Sequence, residues 1–124
     1  MQLKIKKLHL DAIIPTYAHD GDAGMDLYAT ESVLVKGNGG RASVGTGLSF
    51  EIPGGYVGLI WEKSGLSHKR GLKTFGGVID AGYRGEVNVG LINLSSEDYI
   101  FEKGHKVAQM LIQKIEHPEI IETS

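Results

Sequence analysis

The stretch Gly77-Val78-Ile79-Asp80-Ala81-Gly82-Tyr83-Arg84-Gly85 sets one carboxylate beside a turn, with an aromatic three residues on and glycines on both sides. Glycine lets a backbone come close to a ligand, so main-chain N–H and C=O groups here can pair with the edge of a planar base. A tyrosine ring can pack flat on a sugar. Asp80 is then the carboxylate placed to act as a base. Read as local structure only, the same residues are an ordinary turn, a strand aromatic and a surface arginine.

A second segment, Lys63-Ser64-Gly65-Leu66, opens a short helical stretch over Leu66 to Arg70, with Gly71 suited to the left-handed position after its end. A Ser-Gly step there offers free N–H groups and the positive end of a dipole, a natural phosphate cradle; Ser64 adds a hydroxyl and Lys63 a cation. The simpler role for Ser64 is that of an N-cap. No G-x-x-x-x-G-K-[ST] string occurs, so a phosphate site here is unlike a Walker loop.

Two further polar residues sit in apolar text. Asp26, between Met25 and Leu27, needs partners such as Arg, backbone donors or a hydrated metal, or serves structure alone. Gln109, among Val107, Met110 and Leu111, carries an amide that costs roughly 1 to 3 kcal/mol if buried unpaired. The five histidines, His9, His19, His68, His105 and His117, show no H-x-x-x-H or comparable spacing, which argues against a transition-metal site.

The elements that must position these groups read mostly as strands. Leu48, Phe50 and Ile52 alternate with Ser49 and Glu51, Pro53-Gly54-Gly55 turns, and Tyr56 to Trp61 follows, which predicts a hairpin. Val87, Val89 and Leu91 share one face, with Glu86 and Asn88 on the other. Lys106 to Ile115 is apolar on both faces, as suits a strand covered by a second sheet or a neighbouring subunit. Gly37-Asn38-Gly39-Gly40, Asp20-Gly21-Asp22 and Ser95-Ser96-Glu97-Asp98 are turns. These features predict an all-β chain, a jelly-roll-like β-barrel or sandwich with one short helix, in a single domain over residues 1–124.

Composition narrows the function classes. With 124 residues, 41% of them hydrophobic and 23% charged, one compact unit is expected; the 18 glycines are about double the usual 7% and imply many tight turns. A net charge of −2 leaves no broad basic footprint for a nucleic-acid backbone. The absence of Cys removes disulfides and thiolate metal sites and is compatible with a reducing cytosol. Neither a signal-peptide h-region nor a run of about 18 apolar residues occurs, so a soluble, cytoplasmic protein with no membrane partner is expected.

Taken in order, Ala23-Gly24-Met25-Asp26-Leu27, Lys63-Ser64-Gly65-Leu66, Gly77 to Gly85 and Gly104-His105-Lys106-Val107-Ala108-Gln109 resemble the first four signature motifs of the trimeric dUTPase family, across nearly the whole chain. The third is the most specific. The resemblance implies hydrolysis of dUTP to dUMP and pyrophosphate by water attack on the α-phosphate, in a homotrimer with shared sites. Asp80 would match the base that activates the water, and Tyr83 the aromatic under the deoxyribose. The main chain of Gly77, Val78 and Ile79, with Asn88, would read uracil. Lys63, Ser64, Gly65 and Gln109 would match phosphate contacts. Thr74 stands where many members carry Asn, at a base or water contact. Asp26 would match the acid supporting the metal region indirectly through water, with Mg2+ held chiefly by triphosphate and water.

The departures carry expectations too. The family usually shows Pro-Arg before Ser-Gly, whereas this chain has Glu62-Lys63, replacing a bidentate guanidinium with a point charge and weakening phosphate affinity. The glycine-rich fifth motif, with its Arg for the phosphates and its Phe over uracil, has no counterpart up to Ser124, from which impaired hydrolysis is expected. Two other readings compete. A dCTP deaminase relative would use a catalytic Glu and release ammonia, and a nucleotide-binding or regulatory module would show no turnover.

Overall fold

The computed structural model describes residues 1–124. Eleven strands and one helix follow in order: β1 (Lys4–Lys7), β2 (Met25–Tyr28), β3 (Val33–Val35), β4 (Arg41–Gly45), β5 (Leu48–Glu51), β6 (Tyr56–Trp61), α1 (Ser64–Arg70), β7 (Leu72–Phe75), β8 (Val78–Ile79), β9 (Asn88–Asn93), β10 (Tyr99–Phe101) and β11 (Lys106–Lys114). The fold is the expected all-β, jelly-roll-like sandwich with one short helix. No sheet closes into a barrel. The four-stranded sheet has the order β2-β11-β6-β8, a three-stranded one β4-β9-β7, and β1-β5 and β3-β10 form two-stranded ribbons.

Alternating side chains build the core as the period of two dictates. Val87, Val89 and Leu91 are fully buried, and a cluster of 19 buried residues joins them to Leu27, Phe50, Phe101 and Met110. In β11 the register against β2 shifts between Lys106 and Ala108, so that two successive residues, Val107 and Ala108, are both fully buried. The alternate row of β11, Gln109 and Leu111, is only half-buried in the single chain.

The expected hairpin from Leu48 to Trp61 does not form. The Pro53-Gly54-Gly55 turn is present, with the Tyr56 N–H donating to the Pro53 carbonyl at 3.1 Å. It carries the chain from one sheet to another: β5 pairs with β1, and β6 pairs with β11 and β8. Alternation fixes which face of a strand is buried but not which strand lies beside it.

The helix begins two residues before the expected Leu66. Lys63 is its N-cap, with no side-chain cap bond, so Ser64 is the first helical residue and not the cap. Its end is as anticipated: Gly71 takes the left-handed conformation at φ 69, after a last turn of His68, Lys69 and Arg70 that suits the negative end of the dipole. No helix of the chain is long and apolar enough to cross a membrane.

Candidate functional site

The turn after β8 is built by its own main chain. Leu59 pairs with Val78 and Gly58 with Ile79, which leaves Asp80 just past the end of the short edge strand. The Tyr83 N–H donates to the Asp80 carbonyl at 3.1 Å, and the Arg84 guanidinium donates to the Ala81 carbonyl at 2.6 Å. Arg84 is thus a staple of the turn as well as a surface charge. The Tyr83 hydroxyl donates to the Glu86 carbonyl at 2.8 Å, which fixes the ring.

These contacts leave a cavity of about 250 Å³ lined by Val78, Ile79, Asp80, Tyr83, Glu86 and Asn88, with Gly76 at one edge. Asp80 is exposed on its rim and takes part in none of the chain's ion pairs. Two glycines shape it for different reasons. A Cβ on Gly77 would lie 2.6 Å from the Ile60 carbonyl oxygen, where the Gly77 carbonyl accepts the Ile60 N–H at 2.8 Å. A Cβ on Gly85 would lie 2.6 Å from the Tyr83 hydroxyl oxygen. Glycine at 77 therefore serves strand approach, and glycine at 85 admits the ring.

A second cluster gathers at the far end of β6. Asp26 is 1% exposed, and its partners are neither Arg nor a backbone donor but two lysines: Lys63 hydrogen-bonds one carboxylate oxygen, and Lys106 brings its ammonium 3.1 Å from the other. The Lys106 contact is coulombic, since that oxygen accepts no aligned hydrogen bond. Burial pushes the Asp26 carboxyl up, and the two ammonium groups more than reverse this, holding it below its ordinary value. Two contacting cations oppose a dication at this carboxylate, and no three His, Asp or Glu side chains lie together as a metal cage.

Gln109 faces Asp26 on one side and Trp61 on the other, and its Nε2 donates to the Glu62 carbonyl at 3.1 Å. Gly24 makes room for it, because a Cβ there would collide with the Gln109 side chain. Ser64 and Gly65 are exposed at the start of α1, and nothing crowds Gly65. Thr74 does not join either group: it is 8% exposed on β7 and donates its hydroxyl to the Glu62 carboxylate at 2.8 Å.

Sequence reasoning missed Lys106 and the Glu62 contacts. A lysine opening an otherwise apolar strand, within reach of a buried acid, was the available signal for the first. The two clusters stand apart. Lys63 lies two residues past the end of β6, at the end of that strand away from the Gly58–Ile79 pair that leads into Asp80. The cavity at Asp80 receives nothing from Lys63, Ser64, Gly65 or Gln109.

The family model described as dUTPase matches residues 11–124. The chain is 46% identical over 125 residues to the deoxyuridine 5'-triphosphate nucleotidohydrolase of Mycolicibacterium gilvum (strain PYR-GCK), covering 98% of this chain and 80% of that one. It is 42% identical over 118 residues to the corresponding protein of Clostridium kluyveri, covering 94% and 82%. Among solved structures, a mutant of the Staphylococcus bacteriophage 80alpha dUTPase with dUpNHpp superposes with a TM-score of 0.92 at 29% identity, over 98% of this chain and 96% of that one. A mutant dUTPase of phage phi11 of S. aureus, described with a structural Mg(II) ion, gives 0.91 at 28% identity, over 99% and 97%. A whole-chain match of sequence and fold settles the family and sets the deaminase reading aside: this chain belongs to the dUTPase family, whose reaction converts dUTP to dUMP.

Proposed function

We propose that Asp80 is the base with which this chain hydrolyses dUTP. The observation that carries the reading is an exposed carboxylate, unpaired within the chain, at a cavity lined by Val78 and Ile79 of the edge strand and by a tyrosine whose hydroxyl is hydrogen-bonded. The Asp80 carboxylate takes a proton from a water whose oxygen bonds to the α-phosphorus. The bond from that phosphorus to the oxygen of the β-phosphate breaks, and pyrophosphate leaves with the electron pair. The main chain of Gly77 to Ile79, with Asn88, reads the uracil edge, and Tyr83 supports the deoxyribose.

Lys63, Ser64, Gly65 and Gln109 take the phosphates from the second cluster, with Asp26 holding Lys63 in place. Thr74 is assigned a role through Glu62 and not in contact with the base. Magnesium would be held chiefly by the triphosphate and water, where it would supply charge neutralisation; the two lysines at Asp26 fit an anionic ligand better than a bare ion. The separation of the clusters supports a homotrimer in which the Asp80 cavity of one copy meets the Lys63 cluster of another. Trp61, Phe75 and Val78 form an exposed apolar strip suited to such a contact. A composition without Cys suits a reducing compartment, and we assign the reaction to the cytoplasm.

The test is pyrophosphate release from dUTP with magnesium, beside dCTP, dTTP and UTP, with light scattering on the same sample. Release from dUTP by a particle of about three chain masses is expected. Binding without release, even at high protein concentration, would leave the nucleotide-binding module as the better reading.

A further inference from the structure

Two departures from the family pattern touch each other. Glu62 stands where the family usually has Pro, Thr74 where many members have Asn, and the Thr74 hydroxyl donates to the Glu62 carboxylate at 2.8 Å. Lys73 donates to the same oxygen at 2.9 Å while its ammonium lies 5.0 Å from the centre of the Trp61 ring. Thr74 also turns its N–H toward that oxygen at 3.4 Å. One carboxylate, 17% exposed, thereby ties the end of β6 in the four-stranded sheet to β7 in the three-stranded one.

The two neighbouring groups on the chain face the second cluster. The main-chain carbonyl of Glu62 accepts the Gln109 Nε2 at 3.1 Å, and Lys63, the next residue, is held by Asp26. The side chain of Glu62 thus fixes the peptide from which both groups are aimed. An unanchored residue at this point, just after the strand and before the helix, would leave the Gln109 amide and the Lys63 ammonium free to swing. Such groups then spend part of their binding free energy on becoming ordered when a ligand arrives. A lysine needs this more than an arginine, since its ammonium is a point charge on a flexible stem and not a planar fork.

We propose that Glu62, anchored by Lys73 and Thr74, is a positioning residue that aims Gln109 and Lys63 at the β- and γ-phosphates of the nucleotide. This rests on the assignment of those two residues to the phosphates under the proposed function. Glu62 touches no substrate itself. Its effect belongs to the triphosphate and not to the nucleoside end, because the Asp80 cavity includes none of these groups.

The experiment compares the wild type with E62Q, T74V and the double variant in the intact protein. Calorimetry is run with a non-hydrolysable imido analogue of dUTP and, separately, with dUMP. The Gln109 side-chain amide resonances are recorded without ligand. We expect E62Q to weaken the triphosphate analogue about tenfold and to raise KM more than it lowers kcat, with dUMP affinity changed less than about twofold. T74V should weaken it about threefold, and the double variant should be no worse than E62Q, because Thr74 acts through the same carboxylate. The Gln109 amide should shift toward the position of a free amide in E62Q. T74V keeps the charge and carries the test if E62Q does not fold. Equal losses for the analogue and dUMP, or an unmoved Gln109 amide, overturn the proposal. If the wild type fails to bind the analogue, the functional reading falls, and the ligand-free resonance still decides whether Glu62 positions Gln109.

Discussion

Lys106 places its ammonium 3.1 Å from the Asp26 carboxylate, across the irregular register that joins β11 to β2. Asp26 is buried while Lys106 is about half exposed, so the two ends of this pair respond differently to removal. Replacing the lysine returns a solvated group to water and leaves Lys63 to satisfy the carboxylate. Replacing the carboxylate strands two cations against each other. D26N should lower the unfolding free energy by about 1 to 3 kcal/mol, and K106M by under about 1, as read from urea midpoints. Equal losses in the two variants would mean that the pair, and not the buried acid, carries the stability.

Glu62 gives the fold an acid-sensitive joint. Burial raises its pKa, but the bonds from Lys73, from its own backbone and from Thr74 outweigh this and bring it down from 4.5 to about 2. A carboxyl lowered in the folded state contributes stability that is fully present above its unfolded value and fades as pH falls toward the folded one. The window is therefore from about pH 4.5 down to about 2. The contribution is of order 1 to 3 kcal/mol. Stability curves of the wild type should fall across that window, and those of E62Q should fall less. Parallel curves would show that other carboxylates govern acid unfolding.

Much of this was legible in the sequence, and the failures share a cause. The faces of β9 and the left-handed Gly71 follow from neighbours one or two positions away, and local chemistry announces them. The turn at Asp80 could be placed, because its glycines and its tyrosine lie within nine residues. The partner of β5 could not: β1 and β6 both fit its alternation, and the choice is made across some forty residues of chain. The lysines on Asp26 were hidden for the same reason, since Lys63 and Lys106 come from elements far apart in sequence. Thr74 could be marked as unusual, but that its hydroxyl turns to Glu62, outside the Asp80 cavity, depends on how β6 and β7 approach.

Gly77 tests the close approach of β6 to the site turn. A methyl group there would press on the Ile60 carbonyl oxygen, and backbone on both sides leaves little room to give. G77A should cost about 1 to 3 kcal/mol by overpacking and should weaken dUTP binding as β8 shifts. G54A is its control, because a Cβ at Gly54 meets nothing within 4 Å and that residue takes no part in the proposed site. A stable, active G77A would show that the edge strand can move without harm.

Tyr83 separates a packing role from a hydrogen-bonding one. Y83F keeps the ring but loses the 2.8 Å bond to the Glu86 carbonyl, so a stability loss of about 0.5 to 1.5 kcal/mol with unchanged preference for dUTP over UTP is expected. Y83A removes the surface proposed to sit under the sugar. It should reduce that preference by about tenfold, or about 1.4 kcal/mol, as measured by the ratio of kcat/KM values. A preference that survives Y83A would place sugar discrimination elsewhere.

Asp80 is the sharpest test of the proposed chemistry, because its surroundings make a clean substitution possible. The carboxylate is exposed and unpaired, so D80N should leave stability within about 0.5 kcal/mol of wild type. The amide preserves size and keeps one oxygen to orient a water, so the triphosphate analogue should bind nearly as before. What it cannot do is accept the proton that the water must lose as its oxygen bonds to phosphorus. Turnover should fall by about 10² to 10⁴ with little change in KM, the pattern of an interaction made only in the transition state. D80E restores a base but moves it outward by one methylene, and an intermediate rate is expected, since misplacement of about 1 Å can cost on the order of 10²-fold. If D80N hydrolyses dUTP at the wild-type rate, the base is another group, and Glu86, on the same cavity wall, is the next carboxylate to replace.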